Sequence, residues 1–284
     1  MRSLKKFAEV LMFAAMVLLP AARARTQSAE QVSARKKTIT DLKEIGFAGD
    51  VAAQVRLGVI YLTGDGVPKD DVEAVKWLRM AANQDNPVAE RYLAEMYFKG
   101  RGVTADNEEA AKWLRMSAEQ GDAQSEYNLA VLYSQGQGVP RNLKESLNWM
   151  TKAAEQNLAA GQMGLGVAYG NGDGVLANPA VAAEWYQKAV DQNYVPAMSN
   201  LAMLMATTTN AKVRNPKQAI ALATRAVGTG SNPEYLNTLA AAYFADGQTD
   251  QAVATEEKAL TRDPENDSYK QAYAKYQAAA HGGR

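Results

Sequence analysis

Tryptophan recurs in this chain at a constant interval of 36 residues. The positions are Trp77, Trp113, Trp149 and Trp185, and no other tryptophan occurs among the 284 residues. Columns of tyrosine and leucine share the interval: Tyr61, Tyr97, Tyr133 and Tyr169, and Leu57, Leu93, Leu129 and Leu165. A fixed period between about 20 and 50 residues is typical of arrays in which each unit packs on its neighbours. We therefore expect one array of about six units, although the length alone suggests about two globular domains.

Each unit is predicted to contain two helices. In the second unit, Ala89, Leu93, Met96 and Tyr97 recur at three- and four-residue spacing, which places them on one face of a helix. Gly-x-Gly-Val motifs follow the first helix, and glycine tolerates the positive φ that ends helices. These motifs begin at Gly64, Gly100, Gly136 and Gly172.

The second helix of each unit is predicted to start after a strong N-cap residue. The caps are Asp70, Asp106, Asn142 and Asn178. The same helices are predicted to stop at Asp85, Gly121, Asn157 and Asn193. Most of these stop residues tolerate left-handed backbone. The tryptophan and tyrosine columns then fill the space between helices, and we interpret them as structural core positions.

The N-terminus has the pattern of a secretory signal peptide. A basic start precedes an unbroken apolar run over residues 10–19, and residues 22–24 offer a cleavage site of the small-x-small type. The alternative is an uncleaved membrane anchor, but the run is about half of the roughly 20 residues that a spanning helix needs. We expect residues 1–24 to be removed, residues 25–35 to be flexible, and the protein to be periplasmic or secreted.

Composition narrows the chemistry that this chain can perform. It contains no cysteine, which excludes disulfides, thiolate nucleophiles and cysteine zinc sites. A single histidine, His281, disfavours histidine metal clusters and a Ser-His-Asp triad. The formal net charge is +0, so there is no overall electrostatic argument for binding nucleic acid. The sequence predicts no metal and no cofactor.

Units that read L-(G/A)-x-x-Y, G-x-G-V, an Asp or Asn cap, A-x-x-W and A-x-E-Q-G resemble Sel1-like repeats of the exported bacterial type, within the tetratricopeptide-like superfamily. The resemblance implies an all-α fold, a right-handed α-solenoid of stacked helix-turn-helix repeats. The repeats are expected at 51–86, 87–122, 123–158 and 159–194, with a degenerate fifth at 195–231 that has Thr and Asn in its turn. A tetratricopeptide-like unit is expected at 232–265, an N-terminal capping helix at 36–50, and a C-terminal capping helix and tail at 266–284.

The resemblance implies a non-catalytic scaffold or adaptor that binds a protein or peptide in the bacterial envelope. Exported relatives of this type are expected to serve as regulators of membrane sensors or as scaffolds in envelope or exopolysaccharide assembly. No stable membrane span is expected after signal cleavage, and the oligomeric state stays open.

The alternative function is a cell-wall-related enzyme, or one that binds or hydrolyses β-lactams. Ser-x-x-Lys occurs at Ser33 to Lys36, and again at Ser3 to Lys6 within the leader. Neither is accompanied by the Ser-Asp-Asn and Lys-Thr-Gly elements of a serine β-lactamase, so we interpret both as chance matches. The Gly-x-Gly motifs lack the Lys-Ser/Thr of a phosphate-binding loop and are interpreted as turns.

A candidate binding surface follows from analogy with this repeat architecture, in which two positions of each first helix face the concave side. The sequence varies at these positions while their neighbours stay constant, as expected for a ligand face on a fixed frame. They can equally be solvated or partly packed helix positions. The predicted partner-binding residues are Arg91, Glu95, Tyr127, Asn200 and Asn237.

Overall fold

The structure is a computed structural model that describes residues 29–230 and 232–282, with side chains from residue 38 to residue 281. Within these residues the chain forms fourteen α-helices and no strand, an all-α solenoid of helix-turn-helix repeats. The helices are α1 (Ala29–Phe47), α2 (Val51–Thr63), α3 (Asp71–Ala82), α4 (Pro87–Lys99), α5 (Asn107–Glu119), α6 (Ala123–Gln135), α7 (Leu143–Glu155), α8 (Ala159–Asn171), α9 (Pro179–Asp191), α10 (Val195–Thr207), α11 (Pro216–Gly228), α12 (Pro233–Ala245), α13 (Thr249–Arg262) and α14 (Asp267–Gly282).

The helices group into two compact units, one that ends at Trp149 and one that begins at Met150. In the first unit, each helix from α1 to α5 packs against the next helix along the chain. In the second unit the same holds from α8 to α13, and α10 also packs against α12. Contacts between sequence neighbours dominate, as expected for helical repeats.

Hydrogen bonds at both ends of the loop fix the turn within a repeat. The Asp70 carboxylate accepts bonds of 3.0 Å from the N–H groups of Val72 and Glu73 at the start of α3. Its own N–H donates to the carbonyl of Tyr61 in α2. Gly64 ends α2 in left-handed backbone, with a φ of 76°. The later caps repeat both contacts: Asp106, Asn142 and Asn178.

The residues after the second helices also adopt the predicted left-handed backbone. Their φ angles are positive at Asp85, Gly121, Asn157 and Asn193. Three of the four are not glycine, and Asp and Asn are the residues that tolerate this conformation best. In the four regular repeats, the frame is therefore set by local backbone chemistry at both ends of the second helix.

The second glycine of the loop joins successive repeats. A Cβ atom on Gly102 would overlap the carbonyl oxygen of Asp71, and one on Gly138 would overlap that of Asn107. Both glycines also have positive φ, 69° and 67°. Beside Gly102, the Arg101 guanidinium donates to both carboxylate oxygens of Asp71, at 3.0 and 2.6 Å. Only glycine fits where a loop lies against the start of the preceding second helix.

The tryptophans, predicted as four equivalent core positions, differ in exposure. Trp77 is fully buried and Trp149 is 7% exposed, whereas Trp113 and Trp185 are partly exposed. Trp113 packs against the edge of the apolar cluster around Trp77. The Nζ atom of Lys188 lies 3.5 Å from the ring centroid of Trp185, so a cation covers part of that ring. In the tyrosine column, Tyr61 and Tyr133 are buried, and Tyr97 and Tyr169 are partly exposed.

One boundary differs from the predicted one, and the turn of the degenerate repeat differs from the Gly-x-Gly turns, in keeping with its Thr and Asn residues. Helix α1 begins at Ala29 rather than at residue 36, so part of the segment predicted to be flexible is helical. Residues 29–45 contain neither proline nor glycine to interrupt a helix. In the degenerate repeat, Thr208 ends α10 in extended backbone with a φ of −66°, where the other repeats use a left-handed glycine. The leader, residues 1–24, lies outside the described residues. In the described part of the chain, no helix has the length and apolar character needed to cross a membrane.

Candidate protein-interaction face

Helix α4 carries two of the predicted binding residues. Arg91 is partly exposed; its Nε atom lies 3.2 Å from Oδ1 of Asp122, and its guanidinium lies 5.3 Å from the ring centroid of Tyr92. Asp122 also caps α6, because its Oδ1 atom accepts a bond of 2.8 Å from the N–H of Ser125. Arg91 is thus held between two successive repeats while part of its side chain reaches solvent.

Glu95 lies one helical turn after Arg91 on α4. Its Oε1 atom accepts a bond of 2.6 Å from Nζ of Lys99, and its side chain is 14% exposed. We define the α4 face as Arg91, Tyr92, Glu95 and Lys99. It offers a cation held against an aromatic ring, beside an ion pair, and guanidinium groups bind carboxylates through paired N–H donors.

Tyr127 does not belong to an exposed face, which corrects the prediction. It is 4% exposed, and every residue of α6 from Ser125 to Tyr133 is buried. The equivalent positions Met163 and Ser199 are buried as well. The periodicity specifies which way a residue points from its helix, but the bulk of the surrounding side chains decides whether it reaches solvent.

In the second unit, Asn200 on α10 and Asn237 on α12 are partly exposed. Each is adjacent in sequence to a member of a buried hydroxyl pair, in which Ser199 Oγ and Thr238 Oγ1 lie 2.9 Å apart. That pair joins α10 to α12 and fixes the backbone that carries both asparagines. Amide side chains supply donors and acceptors for a polar contact.

The predictions from sequence did not include a column of buried polar residues in the first helices. The first helices carry Gln54, Glu90, Glu126 and Gln162 at the interval of 36 residues, and all four are buried. In three repeats a glutamine just after the second helix donates to this residue: Gln84 to Gln54 at 2.9 Å, Gln120 to Glu90 at 2.8 Å and Gln192 to Gln162 at 2.8 Å. The sequence did contain a signal for these contacts, because polar residues recur at the first-helix position and again just after the second helix.

Glu90 is the member of this column with an unsatisfied atom. It is fully buried; Oε2 accepts the bond from Gln120, and Oε1 has no hydrogen-bond partner. Burial raises the pKa of Glu90 to about 6, and the negative charge of Asp85 raises it too, whereas the Gln120 bond lowers it. With a pKa of about 6, this carboxyl group is a candidate for a change of protonation in mildly acidic solution.

Two further carboxyl groups are shifted in the second unit. Burial raises the pKa of Glu234 on α12 to about 7 and that of Glu256 on α13 to about 7. The described residues contain no cluster of three or more His, Cys, Asp or Glu side chains that could hold a metal ion. Ser33 and Lys36 lie in α1, but their side chains are outside the described part, and so is the segment from Ser3 to Lys6.

The family model of the Sel1 repeat matches residues 51–86, 87–122, 123–158 and 159–194, just over half of the chain. The chain belongs to the Sel1 repeat family. Sel1 and tetratricopeptide-like repeats generally mediate protein–protein interaction, and Sel1 repeat proteins are typically non-catalytic scaffolds. No curated protein matches the chain.

Solved structures share the fold of this chain. A Sel1 repeat protein from Oxalobacter formigenes is 26% identical with a TM-score of 0.63, and the match covers 77% of this chain and 96% of that one. A protective antigen present in uropathogenic Escherichia coli strains, which displays an SLR fold, is 29% identical with a TM-score of 0.55. That match covers 80% of this chain but only 56% of the antigen. The type IV pilus biogenesis factor PilW is 15% identical with a TM-score of 0.54 over 78% of this chain and 97% of its own, and shares the fold alone.

Proposed function

We propose that this Sel1 repeat protein is a scaffold or adaptor of the bacterial envelope that binds a partner protein or peptide through its first helices. In this role it would serve a sensor system or an envelope or exopolysaccharide assembly system. The proposal extends the general function of Sel1 repeats to a location and a surface.

The observation that carries the proposal is the arrangement of the α4 face. Arg91 is held by Asp122 and Tyr92, so its guanidinium is positioned before any partner arrives. A side chain that is already ordered loses little conformational entropy on binding. Arginine and tyrosine are also the residue types that most often dominate the energetics of interfaces.

The envelope location rests on the leader. Basic residues, an apolar run and a small-x-small site in residues 1–24 form the pattern of an export signal. Export would also suit the absence of cysteine, because a chain held together by packing alone needs no oxidative folding. N-terminal sequencing of the protein from the membrane, periplasmic and cytoplasmic fractions of its native host tests this step: a start near residue 25 supports export, and an intact Met1 in the cytoplasmic fraction contradicts it.

Crosslinking and affinity capture from the native envelope test the binding step. The double variant Arg91→Glu with Tyr92→Ala should reduce recovery of the partner captured by the natural chain. Lys112→Glu is the matched control, because Lys112 is an exposed cation on the second helix α5. Equal loss with both variants, or unchanged recovery with the α4 variant at unchanged helix content, would contradict the proposed face.

A further inference from the structure

A groove lies along the second helix α3 in the first unit. It is bounded by α3 and by the loop that follows α4, and has a volume of about 450 Å³. Its lining consists of Val72, Val75, Lys76, Arg79, Met80, Asn83, Gly102 and Val103. The groove thus forms where the second glycine of one repeat meets the second helix of the preceding repeat.

Apolar surface is exposed at one end of this groove. Val72 is 65% exposed in the first turn of α3. Of the other apolar residues in the lining, Val75 is buried, and Met80 and Val103 are partly exposed. An apolar side chain from outside could cover Val72 and remove its exposed surface from water.

A cation without a carboxylate partner lies at the other end. Arg79 is exposed; its Nη2 atom donates to the Tyr97 hydroxyl at 2.6 Å, and its guanidinium lies 5.9 Å from the Tyr97 ring centroid. Among the described side chains, no carboxylate forms an ion pair with Arg79, and none lines the groove. The two acidic residues next to Val72 in sequence form ion pairs with other cations: Asp71 with Arg101, and Glu73 with Lys76.

Tyr97 holds the Arg79 guanidinium through one of its nitrogen atoms. A guanidinium has five N–H donors in a fixed plane, so four N–H donors of Arg79 remain for a carboxylate. Pre-positioning by a neutral hydroxyl leaves the positive charge uncompensated, which favours an anionic ligand.

The second repeat differs from the first at two positions that correspond to residues of the groove. At the position of Val72 it has Glu108, and at the position of Asn83 it has Glu119, one helical turn after Arg115. Arg115 there donates to Tyr133 as Arg79 donates to Tyr97. The second repeat therefore carries carboxylates at two positions where the first repeat has valine and asparagine.

We infer that this groove docks a segment of a partner protein that places an aliphatic side chain on Val72 and an adjacent Asp or Glu carboxylate on Arg79. The aliphatic contact and the charge contact lie on one helix face, since residues seven apart on a helix are two turns apart. The groove shares no residue with the α4 face, so an experiment can contradict the binding role of one surface and leave that of the other intact.

Amide signals in two-dimensional nuclear magnetic resonance spectra of the full chain test the inference. The probes are the blocked tripeptides acetyl-Leu-Glu-Leu-amide and acetyl-Leu-Lys-Leu-amide. The acidic probe should produce saturable shifts at Val72, Gly102 and Val103, and the lysine probe should not. Val72→Glu, which copies the second repeat, and Arg79→Gln should each weaken the acidic probe by roughly tenfold. Ala180→Glu is the matched control in the fourth repeat and should leave binding unchanged.

Alternative occupants are distinguished with the same variants. Equal shifts with both tripeptides, or binding of the acidic tripeptide as tight in Val72→Glu as in the natural chain, would overturn the inference. So would binding to phosphatidylglycerol vesicles without any tripeptide binding, because the occupant would then be a membrane. Self-association that Val72→Glu abolishes, again without tripeptide binding, would assign the groove to a second copy of the chain. Circular dichroism establishes that each variant keeps its helix content, so loss of folding is not counted as loss of binding.

Discussion

Gln162 donates its side-chain amide to Asn157, with Nε2 and Oδ1 2.9 Å apart. Two repeats earlier, the equivalent positions carry Glu90 and Asp85, so two carboxyl groups stand where the fourth repeat has two amides. Both repeats keep the hydrogen bond from the glutamine after the second helix: Gln192 donates to Gln162, and Gln120 donates to Glu90. A proton on Oε1 of Glu90 would supply the donor that Gln162 has permanently.

This replacement predicts that Glu90 makes the stability of the first unit depend on pH. Its pKa in the folded chain is raised from 4.5 to about 6, so the folded state holds the proton more tightly than the unfolded chain does. The stability contribution is complete below about pH 4.5 and is lost as the pH rises through about 6. The loss should be about 2 kcal/mol at most, because one pKa unit corresponds to about 1.36 kcal/mol.

Urea unfolding of the natural chain and of Glu90→Gln at pH 5 and pH 7.5 measures this effect. Glu90→Gln should raise the free energy of unfolding at pH 7.5 and should reduce the difference in that free energy between the two pH values. Glu119→Gln, at an exposed position on α5, is the control and should change neither. Comparing variants removes the contributions of Glu234 and Glu256, which titrate near pH 7 in every one of them. A pH dependence unchanged in Glu90→Gln would contradict the prediction.

A second prediction concerns the glycine that joins two repeats. Gly102→Ala should destabilise the chain by about 3 kcal/mol or more, because the added Cβ would meet the Asp71 carbonyl and the φ of 69° is strained for alanine. Gly121→Ala is the matched control, since Gly121 has a φ of 84° but no atom within 4 Å of its added Cβ. The control should cost only about 1–2 kcal/mol for left-handed backbone. Equal losses of unfolding free energy would show that the steric contact is unimportant.

The repeat frame could be predicted from the sequence because its signals are local. Asp70 as a cap, Gly64 as a turn and Asn157 as a helix stop each act within a few residues, and the structure places them as the spacing indicates. Exposure could not be predicted in the same way. Tyr127 is buried although Arg91, at the equivalent position, is partly exposed, because burial depends on side chains from several helices at once.

The unequal burial of the tryptophans gives a third prediction. Trp77→Ala should destabilise the first unit by about 3–5 kcal/mol, since a fully buried aromatic side chain leaves a cavity. Trp113→Ala in the same unit should cost clearly less, because Trp113 is partly exposed at the edge of the same cluster. Urea unfolding monitored by circular dichroism measures the loss of unfolding free energy in both variants. Equal losses would mean that the partly exposed ring contributes as much to the core as the buried one.

The contact between Arg91 and Asp122 gives the last prediction, measured by a double-mutant cycle on unfolding free energy. Arg91→Ala removes the cation, and Asp122→Asn removes the charge while leaving an N-cap residue for α6. Because both side chains are partly exposed, the coupling energy should be about 0.5 kcal/mol and should fall as salt is added. A value of about 3 kcal/mol would instead identify a desolvated pair. In that case Arg91 would serve to hold two repeats together, and its guanidinium would not be free to bind a partner.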